Sequence, residues 1–139
     1  QALAGSQPQH LIIGSDQVAV LDAKILGKPH TFDNARQQLL EASGASVSFL
    51  TGLTLLNSQT GKYQTDCVPF TVHMRPLTTQ QIERYLHAEQ PYDCAGSFKA
   101  EGLGVSLFER TEGDDATSLV GLPLISLVTM LINEGISIP

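Results

Sequence analysis

Apolar positions along this chain follow two rhythms, one suited to strands and one to helices. Residues 9–14, with Leu11, Ile12 and Ile13 ahead of Gly14, read as a strand, and residues 18–21 as a second short one before a turn at Asp22-Ala23-Lys24. Between about residues 33 and 43, Ala35, Leu39 and Ala42 recur at helical spacing and Gly44 supplies a C-terminal stop. Residues 47–56 are β-branched, aromatic and Leu-rich. Ser58-Gln59-Thr60-Gly61 then reads as a turn, and residues 63–74 as the returning strand of a long hairpin. Pro69 in that second strand predicts an edge or a bulge, because it has no N–H for a ladder.

Thr78-x-x-Gln81 is a capping box, and Ile82, Tyr85 and Leu86 give the helix it starts an apolar face. Residues 92–107 are short apolar pieces punctuated by Gly96, Gly102 and Gly104. A last helix is predicted over 123–134, with Pro123 in its first turn, a core-facing stripe of Leu124, Leu127, Val128 and Leu131, and Gly135 as its stop. Together these elements predict a single α/β domain over residues 1–139: a mixed, twisted sheet with flanking helices and a long β-hairpin, joined by both hairpin and crossover connections.

Composition narrows the possible functions. The 139 residues are 42% hydrophobic and 16% charged, which suits an ordinary globular core and not a disordered segment. Eight Lys+Arg against fourteen Asp+Glu give a net charge of −6, which argues against nonspecific nucleic-acid binding. A phosphate-bearing ligand would need a metal ion or a local cationic pocket to offset that field. Cys67 and Cys94 lack CxxC spacing, so neither a disulfide framework nor a zinc site is indicated. His10, His30, His73 and His87 are scattered. No apolar run reaches membrane-spanning length and no charged-then-apolar leader pattern is present, so the expectation is a cytoplasmic protein without a membrane partner.

Three segments are able to carry chemistry. The first is Gly14-Ser15-Asp16-Gln17, an apolar run tipped by an acid. It predicts a buried strand delivering Asp16 to its carboxyl end, where open α/β sheets keep their sites. Asp16 there is a divalent-metal ligand or a proton acceptor, or else simply the cap of a turn. Lys28, fixed between Gly27 and Pro29, is a phosphate-binding cation or a solvated turn lysine. The second segment is the stretch 93–104, where three glycines permit close approach of backbone to a ligand and Asp93, Lys99 and Glu101 supply charge. The alternative is an ordinary surface loop. The third is Ser118-Leu119-Val120-Gly121-Leu122-Pro123, whose following helix start offers amides to an anion or is a plain turn into a helix. Nucleophile elbow, Walker loop and zinc-protease helix are all missing, and a buried structural role suits Cys94 better than nucleophilic catalysis.

In order along the chain, these segments resemble the Maf family of nucleoside triphosphate pyrophosphatases. The resemblance runs through Ile12-Ile13-Gly14-Ser15-Asp16-Gln17-Val18, Gly27-Lys28-Pro29, residues 35–40, Phe49-Leu50-Thr51-Gly52, Asp93-Cys94-Ala95-Gly96-Ser97-Phe98-Lys99-x-Glu101-Gly102 and Val120-Gly121-Leu122-Pro123. It implies that Asp16 is the catalytic acid and metal ligand, with Lys28 as its cationic partner and Asp93 and Lys99 as further phosphate or loop candidates. The branch of the family directed to dTTP and UTP carries Thr after the acid and Gln in the Gly-rich loop. Gln17 and Glu101 stand at those positions here, a pattern similar to the branch acting on 7-methyl-GTP. The implied reaction yields 7-methyl-GMP and pyrophosphate with a divalent cation, Mg or Mn. Guanine presents N1–H and N2–H₂ along one edge, and a carboxylate such as Glu101 accepts from both.

The chain departs from the family pattern at its start. It opens Gln1-Ala2-Leu3-Ala4-Gly5, like the tail of a helix, and breaks at Ser6-Gln7-Pro8, without the family's Ser-, Pro- and Arg-containing loop or the Trp that its 7-methyl-GTP branch carries there (Trp 0). The expectation is a C-terminal part of such an enzyme, lacking the first strand and helix, weakly active or inactive alone, and prone to form a homodimer through exposed apolar surface. A non-catalytic nucleotide-binding module linked to cell division, and the same chemistry on another nucleotide, are the competing readings.

Overall fold

A computed structural model describes residues 10–139, so the opening residues 1–9 and the expectation of a helix tail there lie outside it. Five strands, β1 (Leu11–Leu21), β2 (Lys24–Leu26), β3 (Ser46–Asn57), β4 (Tyr63–Met74) and β5 (Phe108–Glu112), form one sheet in the order β2-β1-β3-β4-β5. Three α-helices accompany it: α1 (Phe32–Ala42), α2 (Thr79–Glu89) and α3 (Leu124–Asn133). Short 3₁₀ turns occupy Ala95–Ser97, Leu103–Leu107 and Ala116–Val120. The α/β class, flanking helices and long hairpin are as the sequence predicts, and every strand pair among the described residues is antiparallel.

Alternation in β3 organises the interior. Val47, Phe49, Thr51, Leu53, Leu55 and Asn57 are buried on one face. Val47 and Phe49 join the larger apolar cluster, which includes Leu39 of α1 and Leu86 of α2. Leu53 and Leu55 join a smaller one with Leu127 and Met130 of α3. All three helices therefore pack on the same face of β3, and Thr51 lies between the two clusters. The hairpin turn is set by Asn57, whose Oδ1 accepts from Gln59 N–H (2.9 Å) and Thr60 N–H (3.3 Å). Thr31 and Thr78 cap α1 and α2, the latter with the predicted reciprocal bond, Thr78 N–H donating to Gln81 Oε1 (2.8 Å).

Four expectations are corrected. The two strands predicted over 9–14 and 18–21 are, from Leu11 on, one continuous strand, β1 (Leu11–Leu21), so Asp16 lies mid-strand and not at a carboxyl end; residue 9 lies outside the described residues. That strand is not buried along its first half, where Ile12 and Ile13 are about half exposed (51% and 47%). Gly, Ser and Asp punctuate an isolated sequence, but ladder pairing to β3 from Leu11 through Val20 overrides that local preference. The α3 stripe is narrower than predicted: Leu127 and Met130 are buried, Leu124 is exposed, and Pro123 precedes the helix as its N-cap. Pro69 agrees with its prediction, because β5 pairs with β4 only from Thr71 to Met74 and leaves the ladder beside Pro69 open.

Candidate active site

The middle of β1 is tied to the turn ahead of α3. Ser15 Oγ donates to the carbonyls of Gly52 (3.0 Å) and Gly121 (2.7 Å). Gln17 Nε2 donates to Thr51 Oγ1 (3.0 Å) and to the Ser118 carbonyl (2.8 Å), and the carbonyl partner fixes which end of the amide is the nitrogen. Thr51, fully buried, donates in turn to the same Ser118 carbonyl (3.1 Å). Asp16 between them is exposed. Its Oδ1 accepts from the Gln17 backbone N–H (2.9 Å), and Oδ2 has no partner among the described residues.

Asp115, which the sequence reading passed over, builds that turn. Its Oδ1 accepts from Thr117 N–H (2.9 Å) and its Oδ2 from Ile125 N–H (2.9 Å), while Leu124 N–H donates to Thr117 Oγ1 (2.9 Å). Burial works against its charged form, but the Thr117 hydroxyl and the Ile125 and Thr117 amides outweigh it and hold the carboxyl below its ordinary value. The first amides of α3 are thus already satisfied by protein oxygens, so the anion-binding reading of residues 118–123 is not supported. An Asp-x-Thr signature two residues before a small-residue turn was the signal available in the sequence.

Lys28 is placed by α1. Gln38 Nε2 donates to the Gly27 carbonyl (3.1 Å), Asn34 Nδ2 to the Pro29 carbonyl (3.0 Å), and His30 N–H to the Tyr92 carbonyl (2.9 Å). These bonds set the Gly-Lys-Pro turn against the loop that follows α2, with the Lys28 side chain exposed.

The loop 93–104 is built on aromatic rings and on its own backbone. Phe98 stands edge-on between Phe49 (centroids 5.3 Å apart) and Phe108 (5.1 Å). Lys99 N–H donates to the Tyr85 hydroxyl (2.9 Å), and burial pushes that phenol above its ordinary value, keeping it protonated. Gly104 donates its N–H to the Lys99 carbonyl (3.0 Å), and a Cβ at 104 would come within 2.1 Å of that oxygen. Gly102 lies against the Glu89 carboxylate, which accepts from Leu103 N–H (2.7 Å). These two glycines admit neighbouring protein atoms, not a ligand, which corrects the reason given for them.

These supports surround one cleft of about 350 Å³, within the range of small-molecule sites. Asp16, Gln17, Lys28, Asp93, Lys99 and Glu101 all line it, with Phe49 and Phe98 contributing apolar surface. The structure therefore brings together every site residue picked out by sequence. Cys94 also lines the cleft; burial raises its thiol's pKa, with Lys99 partly opposing, and no histidine borders the cleft to activate it. No three acidic, His or Cys side chains converge as a metal cage among the described residues. The donor set still fits Mg or Mn, which take one or two carboxylates and complete their shell with water and substrate phosphate; Asp16 and Asp93 offer those oxygens. No helix among the described residues is long and apolar enough to cross a membrane.

The whole chain is 76% identical to a 7-methyl-GTP pyrophosphatase of Pseudomonas savastanoi pv. phaseolicola, 75% to one of Pseudomonas fluorescens strain Pf0-1 and 70% to one of Pseudomonas aeruginosa; in each case it covers 72% of the relative's length. The sequence profile of the Maf-like proteins matches residues 1–134. With a match of that extent, the chain belongs to the Maf-like protein family.

Proposed function

We propose that this protein is a cytoplasmic nucleoside triphosphate pyrophosphatase that converts 7-methyl-GTP to 7-methyl-GMP and pyrophosphate. The observation that carries this reading is the single cleft holding Asp16, Lys28 and Glu101 together, in a chain whose relatives bear that name. Asp16 Oδ2 is free to take the proton of a water attacking the α-phosphorus, while Oδ1 is held by the backbone and fixes the carboxylate's orientation. The bond from the α-phosphorus to the bridging oxygen breaks, and the Lys28 and Lys99 ammonium groups offset charge on the departing pyrophosphate. Asp16 and Asp93 would hold a Mg or Mn ion, which polarises phosphate oxygens when bound. Glu101 accepts from guanine N1–H and N2–H₂, and the positive charge that N7 methylation places on the base strengthens that contact. Uracil offers a lone N3–H between two carbonyls and leaves Glu101 poorly satisfied.

The test is pyrophosphate release by the full-length protein over a panel of nucleoside triphosphates. Turnover of 7-methyl-GTP should exceed that of UTP and dTTP, and Asp16→Asn should lower it at least about 100-fold. Equal turnover of UTP overturns the substrate assignment, and unchanged turnover in Asp16→Asn removes that carboxylate from the mechanism.

A further inference from the structure

We propose that Thr51 governs nucleotide choice by fixing which end of the Gln17 amide meets the base; this rests on the pyrophosphatase reading and deepens it. Gln17 and Thr51 are direct cross-strand partners in the β1–β3 ladder. The Gln17 amide has two hydrogens and one carbonyl oxygen. Its nitrogen is ringed by three protein oxygens, the Ser118 carbonyl at 2.8 Å, Thr51 Oγ1 at 3.0 Å and the Leu119 carbonyl at 3.4 Å, while Oε1 has no partner among the described residues. Thr51 closes the triangle by donating its own hydroxyl hydrogen to the Ser118 carbonyl, so its oxygen lone pairs remain for Gln17.

A freely rotating glutamine offers donor and acceptor alike, and would serve uracil as well as guanine. Captured in this way, Gln17 brings acceptor character alone to the cleft, alongside the acceptor carboxylate of Glu101. A cleft reader built from two acceptors favours a base edge made of adjacent donors, which guanine has, and opposes the carbonyls of uracil and thymine. Thr51 is fully buried, so it touches no nucleotide itself and acts as a positioning residue through Gln17.

The closing experiment compares Thr51→Val, which keeps shape and loses the hydroxyl, with Thr51→Ser, which keeps the hydroxyl, in the full-length protein. The ratio of kcat/KM for 7-methyl-GTP over UTP should fall about tenfold in Thr51→Val, the effect of one neutral hydrogen bond, and recover in Thr51→Ser. A purely structural role for Thr51 would lower both substrates together and leave the ratio alone. The wild-type protein supplies a second readout independent of any variant: the Gln17 side-chain amide hydrogens should exchange slowly in ¹⁵N spectra. An unaltered ratio in Thr51→Val, equal losses in the Val and Ser variants, or rapid exchange of that amide in the wild type each overturns the role of Thr51. Wild-type protein that leaves 7-methyl-GTP intact would instead overturn the pyrophosphatase assignment, a result distinct from turnover with an unchanged ratio.

Discussion

On one side of the cleft, Lys28 and the 93–104 loop rest on α1 and α2, whose Ala35, Leu39, Ile82 and Leu86 are fully buried in the larger apolar cluster. On the other side, residues 119–121 lead into α3, which buries only Leu127 and Met130 against the sheet. That helix is held instead by polar joints. Gln64 Nε2 donates to the Met130 carbonyl (2.9 Å), Asn57 Nδ2 to Glu134 (2.7 Å), Ser126 Oγ to Asp66 (2.7 Å), and the Ile125 amide to Asp115 (2.9 Å). Apolar burial is non-directional and indifferent to proton concentration, whereas carboxylate bonds are directional and vanish on protonation. One wall of the cleft is therefore set by packing and the other by charge and hydrogen bonds.

The largest expected effect separates the two walls by stability. Leu86→Ala should cost about 4 kcal/mol in urea unfolding, and Leu127→Ala about 2 kcal/mol, because the latter sits in a smaller, partly open cluster. Equal losses would remove the distinction. Next, Asp115→Ala should cost about 1–2 kcal/mol and lower kcat/KM, since the turn it caps carries the Ser118 carbonyl to which Gln17 is bound. Exchange of α1 and α2 amides in that variant should stay as in the wild type; if they loosen along with α3, the walls are not independent. The smallest effect is on pH. The Asp115 carboxyl is held below its ordinary value, so its stabilising contribution is full above about pH 4 and is lost as pH falls through its lower folded value. Hydrogen exchange on acidification should open α3 before α1 and α2, and Asp115→Asn should abolish that pH step. Simultaneous opening of all three helices would contradict the comparison.

The same contrast explains what could be read from sequence. The packed wall was legible: Ala35, Leu39 and Ala42 on α1, and Ile82, Tyr85 and Leu86 on α2, repeat at the helical period and are buried as predicted. The long hairpin was equally clear, its alternation running from Val47 through Leu55. The polar wall was not: Thr51 reaches Ser118 from 67 positions away, so no local spacing announces that bond, and the local Asp115-x-Thr117 cap was passed over. Strand β5 escaped notice because Phe108-Glu109-Arg110-Thr111-Glu112 has a single buried residue and no apolar alternation. Gly14-Ser15-Asp16 suggested a break for the opposite reason: turn-forming residues stayed extended once a complete partner strand was beside them. Asp16, Lys28, Asp93, Lys99 and Glu101 were legible as charges set beside glycines, and Gln17 gained its reading from the family resemblance; the mid-strand placement of Asp16 was not among the expectations.

The closed ring of backbone from Lys99 to Gly104 has a corollary for recognition. Glu101 rides on that ring, and the ring shuts only because position 104 lacks a methyl group that would collide with the Lys99 carbonyl. One extra carbon there would force the Lys99–Gly104 backbone to shift, and Glu101 with it. Under the proposed base-reading role of Glu101, the choice of nucleotide would then hang on a single hydrogen at Gly104, three positions downstream.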